Sequence, residues 1–241
     1  MRTPEHKAER KREIMEKCYE CYCDNGLRNT GIKELAKYCG MTSANLYAYF
    51  ESVDDLIVQS TAHCMAKVED DFMALAPKNP EDILRFINEI PYWTAKNHGK
   101  KYRLMYQVYT HPKYIEHGKT FFEGVSKRYT EYANRLSPVL GIPADVLSGF
   151  IFIFVRAAVH YALFEDEYYL KMQIKSLKLS VFSLLEKINK KEMGENEKSR
   201  VRIADGKYIF CSTLKIFKYV KNLHKISKNA LLIPIFMVLY K

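Results

Sequence analysis

Residues Thr30–Phe50 read TGIKELAKYCGMTSANLYAYF, and this stretch decides the fold. Ile32, Leu35 and Ala36 recur on one face at helical spacing. Thr30 stands just ahead of them, where a hydroxyl accepts from an early backbone N–H that has no helical partner, so the pattern predicts a helix capped by Thr30. Gly40 supplies the backbone freedom of a sharp turn. Thr42 is placed to cap a second helix, Ser43–Phe50, whose Leu46, Tyr49 and Phe50 share a packed side. Helix, short glycine turn and second helix make a helix-turn-helix, the unit whose second helix enters the DNA major groove.

On either side the same helical grammar continues. Residues 5–24 form a charged amphipathic helix with Ile14, Cys18, Cys21 and Tyr22 on its apolar side, and Asn25-Gly26 ends it. Its cluster Lys7, Arg10, Lys11 and Arg12 has two readings. It approaches DNA phosphates, or it is a solvated helix start balanced by Glu9 and Glu13. After the motif, Val53 to about Leu75 is a helix with Leu56, Ile57, Met65, Val68 and Phe72 as its apolar positions, and Asp54-Asp55 suits its N-terminal dipole.

Ile14, Gly26, Thr30, Ile32, Ala36, Gly40, Thr42, Ala44, Leu46, Tyr47, Tyr49, Phe50, Ser52 and Leu56 together form a narrower pattern than a generic helix-turn-helix, above all LYAYF followed by Ser and an acidic pair. On these residues the segment Ile14–Leu56 resembles the DNA-binding domain of the TetR family of bacterial transcriptional regulators. The motif covers about the first fifth of the chain, and the next half matches only in helical character and length. The resemblance implies phosphate or sugar contacts from Thr30, Lys33, Thr42, Tyr47 and Tyr49; for Tyr49 core packing is the alternative. Two departures stand out: Val53 replaces the family's usual Lys, and Ser43–Phe50 holds no Lys or Arg. Ser43, Ala44 and Asn45 lie where a recognition helix reaches base edges, with Asn45 suited to adenine and Ala44 to a thymine methyl. Modest direct readout is expected, with Lys33, the basic arm and DNA shape carrying more of the selectivity.

The 241 residues are enough for a substantial core and two domains, and 48% hydrophobic against 27% charged is a folded composition. The net charge of +10 is uneven. Residues 191–241 hold 11 Lys+Arg against 4 Asp+Glu, and the other 190 residues hold 27 against 24. The DNA reading therefore rests on the motif and not on the isoelectric point. Cys18, Cys21, Cys23, Cys39, Cys64 and Cys211 do not form a disulfide framework in a chain this size, and Cys18-x-x-Cys21-x-Cys23 lacks a fourth ligand for zinc. They read as core cysteines, with no metal and no cofactor expected. The charged opening MRTPEHKAERKREI is no signal peptide, and no apolar run reaches the length of a membrane span. FIFIFVRAAV is broken by Arg156, and ALLIPIFMVLY is short and holds Pro234. A cytoplasmic protein is expected, with no membrane partner.

From Glu81 to about Lys191 the pattern predicts only helices: Asp82–His98 with Pro91 inside, Lys101–Thr110, Lys113–Leu136 stopped at Ser137-Pro138, Ala144–Phe164, and Tyr168–Ile188. The expected architecture is all-α. A three-helix DNA-binding domain (1–56) and a connecting helix (57–76) lead into a helical effector-binding and dimerisation domain (77–190), with a linker and basic, apolar extension (191–241). Ala144–Phe164 is apolar nearly all round, and Leu170, Ile174, Leu177, Val181 and Leu184 form an a/d seam beside it. With Ile153 and Ala157 these are the expected dimer interface, where the resemblance implies a four-helix bundle of two helices from each subunit. The resemblance also implies a small-molecule effector pocket among the aromatic helices. Trp93, Tyr106, Tyr109 and Phe122 are its candidate walls, and Arg156 and His160 its polar handles or a buried ion pair. The tail has two readings, an accessory extension or a basic amphipathic helix at a membrane surface.

Two classes compete with a dimeric, effector-released repressor: an effector-independent DNA-binding factor or activator, and a membrane-associated regulator using the tail. An enzyme is not expected, since no phosphate loop, nucleophile elbow or paired-His motif occurs.

Overall fold

A computed structural model describes residues 4–78 and 80–199, and the tail beyond 199, with the readings placed on it, lies outside them. The described residues form eight helices and no strand. They are α1 (Pro4–Asn25), α2 (Ile32–Tyr38), α3 (Ser43–Tyr47), α4 (Val53–Leu75), α5 (Pro80–Tyr109), α6 (Ile115–Leu140), α7 (Ala144–Phe164) and α8 (Glu167–Ser199).

The helix ends follow from local chemistry. α1 stops where Gly26, at φ +82°, donates its N–H to the Tyr22 carbonyl at 2.9 Å. Ser52 caps α4, its hydroxyl accepting from the Asp55 N–H at 3.0 Å, and the Asp55 carboxylate accepts from the Glu51 N–H at 3.0 Å. Gly141, at φ +67°, closes α6. α6 thus runs past Ser137-Pro138 to Leu140, four residues beyond its expected end.

Two further boundaries differ from expectation. α5 is one helix through Gly99-Lys100, where two were expected. Thr94, His98, Tyr102 and Met105 are buried along one side of it, so tertiary packing carries the helix across a locally weak spot. Gly99 marks a close approach there, since a Cβ at that position would stand 3.2 Å from the Ala162 carbonyl of α7. α8 also continues to Ser199, so residues 191–199, expected as linker, are helical.

The largest core cluster joins Ile14, Cys18, Tyr19 and Tyr22 of α1 to Leu35, Leu46, Phe50, Leu56, Met65 and Val68, and runs on into Tyr102, Met105 and Val108 of α5. Polar ties cross the same seam. The Tyr19 hydroxyl donates to the Lys101 carbonyl at 2.8 Å, Lys100 pairs with Asp24 at 2.8 Å, and Glu16 takes both His63 and Lys67 of α4. The start of α4 is held from beyond α5, where the Tyr114 hydroxyl and the Lys113 ammonium both donate to Asp54, keeping that carboxyl below its usual range.

α7 pairs most extensively with α5 and also packs on α6 and α8. It spans 21 residues with a mean hydropathy of 1.8, long and apolar enough to cross a membrane by length and composition. Arg156 interrupts its apolar run as the sequence indicated, and it is the helix as a whole that reaches this length and composition. A core helix satisfies the same test.

Candidate nucleic-acid interface

α2 and α3 are joined by Cys39–Thr42. Cys39 donates to the Leu35 carbonyl at 2.9 Å, Gly40 to Lys37 at 3.1 Å and Met41 to Ala36 at 2.9 Å, with Gly40 at φ +67°. The Thr42 hydroxyl then accepts from the Asn45 N–H at 3.2 Å, the expected cap. Leu35, Ala36, Leu46 and Phe50 are buried against α1, which orients the whole unit.

The first cap is different from expectation. Gly31 is the N-cap of α2, and its carbonyl takes the Glu34 and Leu35 N–H groups. The Thr30 hydroxyl turns back and donates to the Gly26 carbonyl at 2.7 Å, closing the loop between α1 and α2. With Thr30 only 6% exposed and its proton committed, that side chain has no donor left for a phosphate. α3 is also shorter than expected, five residues against eight; Tyr49 and Phe50 follow in a turn hydrogen-bonded to Leu46.

The outward side carries the other candidates. Lys33, Thr42, Ala44, Asn45 and Tyr47 are exposed, Ser43 is half-buried, and Tyr49 is half-buried against the core. Between α1 and α3 lies an open groove of about 980 Å³, lined by His6, Lys7, Glu9, Arg10 and Glu13 on one side and by Gly40, Met41, Thr42, Asn45, Ala48 and Tyr49 on the other. Sequence reasoning named Lys7 and Arg10 but not His6, Glu9 or Glu13 as its α1 wall. Their steps of three and four residues were the available signal. Arg10 pairs with Glu13 at 2.7 Å, and the Lys11 ammonium lies 5.1 Å over the Phe50 ring.

Beneath this face Cys18, Cys21, Cys39 and Cys64 are buried in the core and Cys23 is half-buried against it, while Cys211 lies outside the described residues. Cys18 and Cys39 bring their sulfurs to 3.4 Å, and the hydrogen bond between them, with burial, pushes the Cys18 thiol up. Burial raises Cys23 to about 11 and Cys64 to about 12. Thiols held in that form are poor nucleophiles and poor metal ligands.

The structure divides the effector candidates. Tyr106, Tyr109, Phe122 and Arg156 come together: Arg156 donates to the Tyr106 hydroxyl at 2.7 Å, and Phe122 lies 6.3 Å from Tyr106 and 6.4 Å from Tyr109, centre to centre. His160 stacks instead on Tyr169 and Phe164, at 4.1 and 4.9 Å. Trp93 lines a separate hollow of about 450 Å³ between the end of α4 and the first half of α5, with Phe86 and Ile90.

The dimer candidates need a correction too. Ala157, Leu170, Ile174 and Leu177 are buried within the chain, where α8 seals against α7 and its neighbours, and Val181 and Leu184 are partly buried. An a/d seam shows that a helix is packed but not whose helix covers it. The uncovered apolar face holds Ile153 at 50% exposure with Phe152 and Phe164 on α7, and Tyr168, Met172 and Leu179 on α8.

A helix-turn-helix with an exposed second helix, carried on a bundle of long helices, defines the class of helical DNA-binding regulators. Residues 14–59 match the family model described as bacterial regulatory proteins, tetR family. Solved structures with the same fold include a TetR transcription regulator from Haloarcula marismortui, at 16% identity and TM-score 0.57 over 73% of this chain and 98% of that one. Another is a tetR-family transcriptional regulator from Streptomyces coelicolor, at 13% identity and TM-score 0.55 over 92% and 99%. The fatty acid degradation regulator FadR from Bacillus halodurans aligns at 13% identity and TM-score 0.51 over 75% and 96%. No curated protein sequence matches the chain. Residues 14–59 are therefore similar to the DNA-binding domain of the TetR family, and the chain shares the fold of solved regulators of that family.

Proposed function

We propose that this protein is a homodimeric, sequence-specific transcriptional repressor of the cytoplasm, released from its operator by a small-molecule effector. The observation that carries the reading is the outer face of the helix-turn-helix. There Lys33, Ala44, Asn45 and Tyr47 stand exposed, while the inner face of the same unit is locked to α1. Residues 1–56 read the operator, 57–76 connect, and 77–190 bind effector and partner.

Dimerisation is supported by the uncovered apolar stripe along α7 and α8, and by geometry, since one short recognition helix reads one half-site and two-fold symmetry doubles it. The effector reading rests on Tyr106, Tyr109, Phe122 and Arg156, which meet where α5, α6 and α7 converge. Next in the chain, Lys113 and Tyr114 hold Asp54 at the start of α4, so a ligand that shifts this corner also shifts the helix leading from the recognition unit.

The test is binding to the protein's own upstream DNA against random DNA across a salt series. A salt-resistant preference with a palindromic footprint, half-sites about one helical turn apart, supports the reading. Equal, weak and steeply salt-dependent binding to both rejects it.

A further inference from the structure

We infer that the operator half-site is read at A·T pairs, with Asn45 and Ala44 as the residues that set this preference; the inference rests on the operator-binding reading above. Between Lys37 and Lys67 the chain holds no Lys or Arg, so α3, its cap and the turn after it present no cation to a base edge. Guanine is read in the major groove chiefly by Arg or Lys donating to O6 and N7. The basic side chains nearest α3 come from other elements and have other engagements or positions. Lys7 and Arg10 stand across the groove on α1, Arg10 paired with Glu13, while Lys11 sits over Phe50 and Lys33 projects from the first turn of α2.

Asn45 is the opposite case. Its backbone N–H is spent on the Thr42 hydroxyl, whereas its exposed side-chain amide has no hydrogen-bond partner among the described residues. A carboxamide matches adenine, its N–H donating to N7 while its oxygen accepts from N6–H. Ala44, exposed beside it, presents a methyl of the kind that lies against the thymine C5-methyl. Cytosine N4–H needs an acceptor, and the carboxylates facing the groove, Glu9 and Glu13, stand on α1, with Glu13 already held by Arg10.

The experiment is site selection by the full-length protein from a pool of duplexes with random cores, followed by affinity measurements on the winning site. A·T pairs are expected at adjacent positions of each half-site. Replacing the contacted adenine by 7-deazaadenine, which lacks the N7 acceptor, should weaken binding roughly tenfold, as should Asn45→Ala. Asn45→Arg should move the selected base at that position from adenine to guanine, a switch no purely structural role of Asn45 produces. Guanine or cytosine at the positions under α3 in the wild-type selection would overturn the inference, as would indifference to 7-deazaadenine, while leaving the regulator reading intact. A selection that enriches no sequence at all would reject the operator reading itself, and the inference with it.

Discussion

Glu69 carries a carboxylate into the packed meeting of α4, α5 and α6, where it is 5% exposed and accepts from the hydroxyls of Tyr102 at 3.3 Å and Tyr129 at 2.5 Å. Burial pushes its pKa above the ordinary value near 4.5, and the two phenol bonds only partly oppose that. Burial likewise raises both phenols, which keeps them as donors. A carboxyl whose folded pKa exceeds its unfolded one binds its proton more tightly when folded. Stability from this group therefore falls as pH rises from about 4.5 through the folded value. Glu69→Gln should remove that slope and raise the melting temperature at pH 7 by a few degrees, since about 1 kcal/mol moves a domain of this size by roughly 2–4 °C. A lower melting temperature at pH 7 would mean that the charged phenol bonds outweigh desolvation. His98 acts in the other direction. Burial lowers its pKa, Lys101 adds to this and Asp71 opposes it, at 3.5 Å from a ring that has no hydrogen-bond partner among the described residues. That distance is too long for a good bond, so His98 is a neutral ring whose stabilising effect is lost as pH falls below about 6.5. In the Glu69→Gln variant this acid limb should remain.

At the scale of helices, α6 offers a matched pair of glycine tests. A Cβ on Gly118 would stand 2.8 Å from Tyr109 Cβ and 3.1 Å from the Tyr109 carbonyl, so Gly118→Ala must part α5 from α6 and should cost about 1–3 kcal/mol. Gly124, on the same helix, has nothing within 4 Å of its added Cβ, and Gly124→Ala should instead stabilise by about 0.5–1 kcal/mol. Urea unfolding of both variants reads the two signs, and a neutral Gly118→Ala would show that the helices separate without strain. The α5–α6 contact behind this test was not legible in the sequence, whereas the ends of α4 and α7 were. Ser52 and the acidic pair mark the start of one, and the predominantly apolar stretch from Ala144 to Phe164 marks the other, both from residues close in sequence. Thr30 and Gly31 both fit an N-cap, and only the loop closed on Gly26 decides between them. The seam of α8 was visible, but its partner depends on how the chain folds back, which periodicity does not encode. The outer face of α3 was legible in residue type because its exposed positions follow directly from which ones are buried. The α1 wall of its groove depends on the docking of two elements and was only partly so.

For the whole molecule the decisive question is what covers the stripe of Phe152, Ile153 and Phe164 on α7 with Tyr168, Met172 and Leu179 on α8. Side chains of this size left open along two adjacent helices make a patch of the kind that marks an interface. The proposed occupant is a second copy, because two-fold pairing is what would set two recognition helices against one palindrome. Ile153, half exposed at the middle of α7, is the place to break it. Ile153→Asp adds a charge that a dimer must bury unpaired, while in the monomer it remains in water and leaves the fold intact. Sedimentation should then show the wild type as a dimer and the variant as a monomer with unchanged helical content. Affinity for the full palindrome should fall by roughly a hundredfold or more, since a second half-site held at high effective concentration adds about that much avidity. Binding to an isolated half-site should stay the same in both proteins. A variant that remains dimeric would place the partner on another face. A monomeric variant that still holds the palindrome as tightly as the wild type would show that the two recognition helices act independently, and that the symmetry of the site owes nothing to this surface.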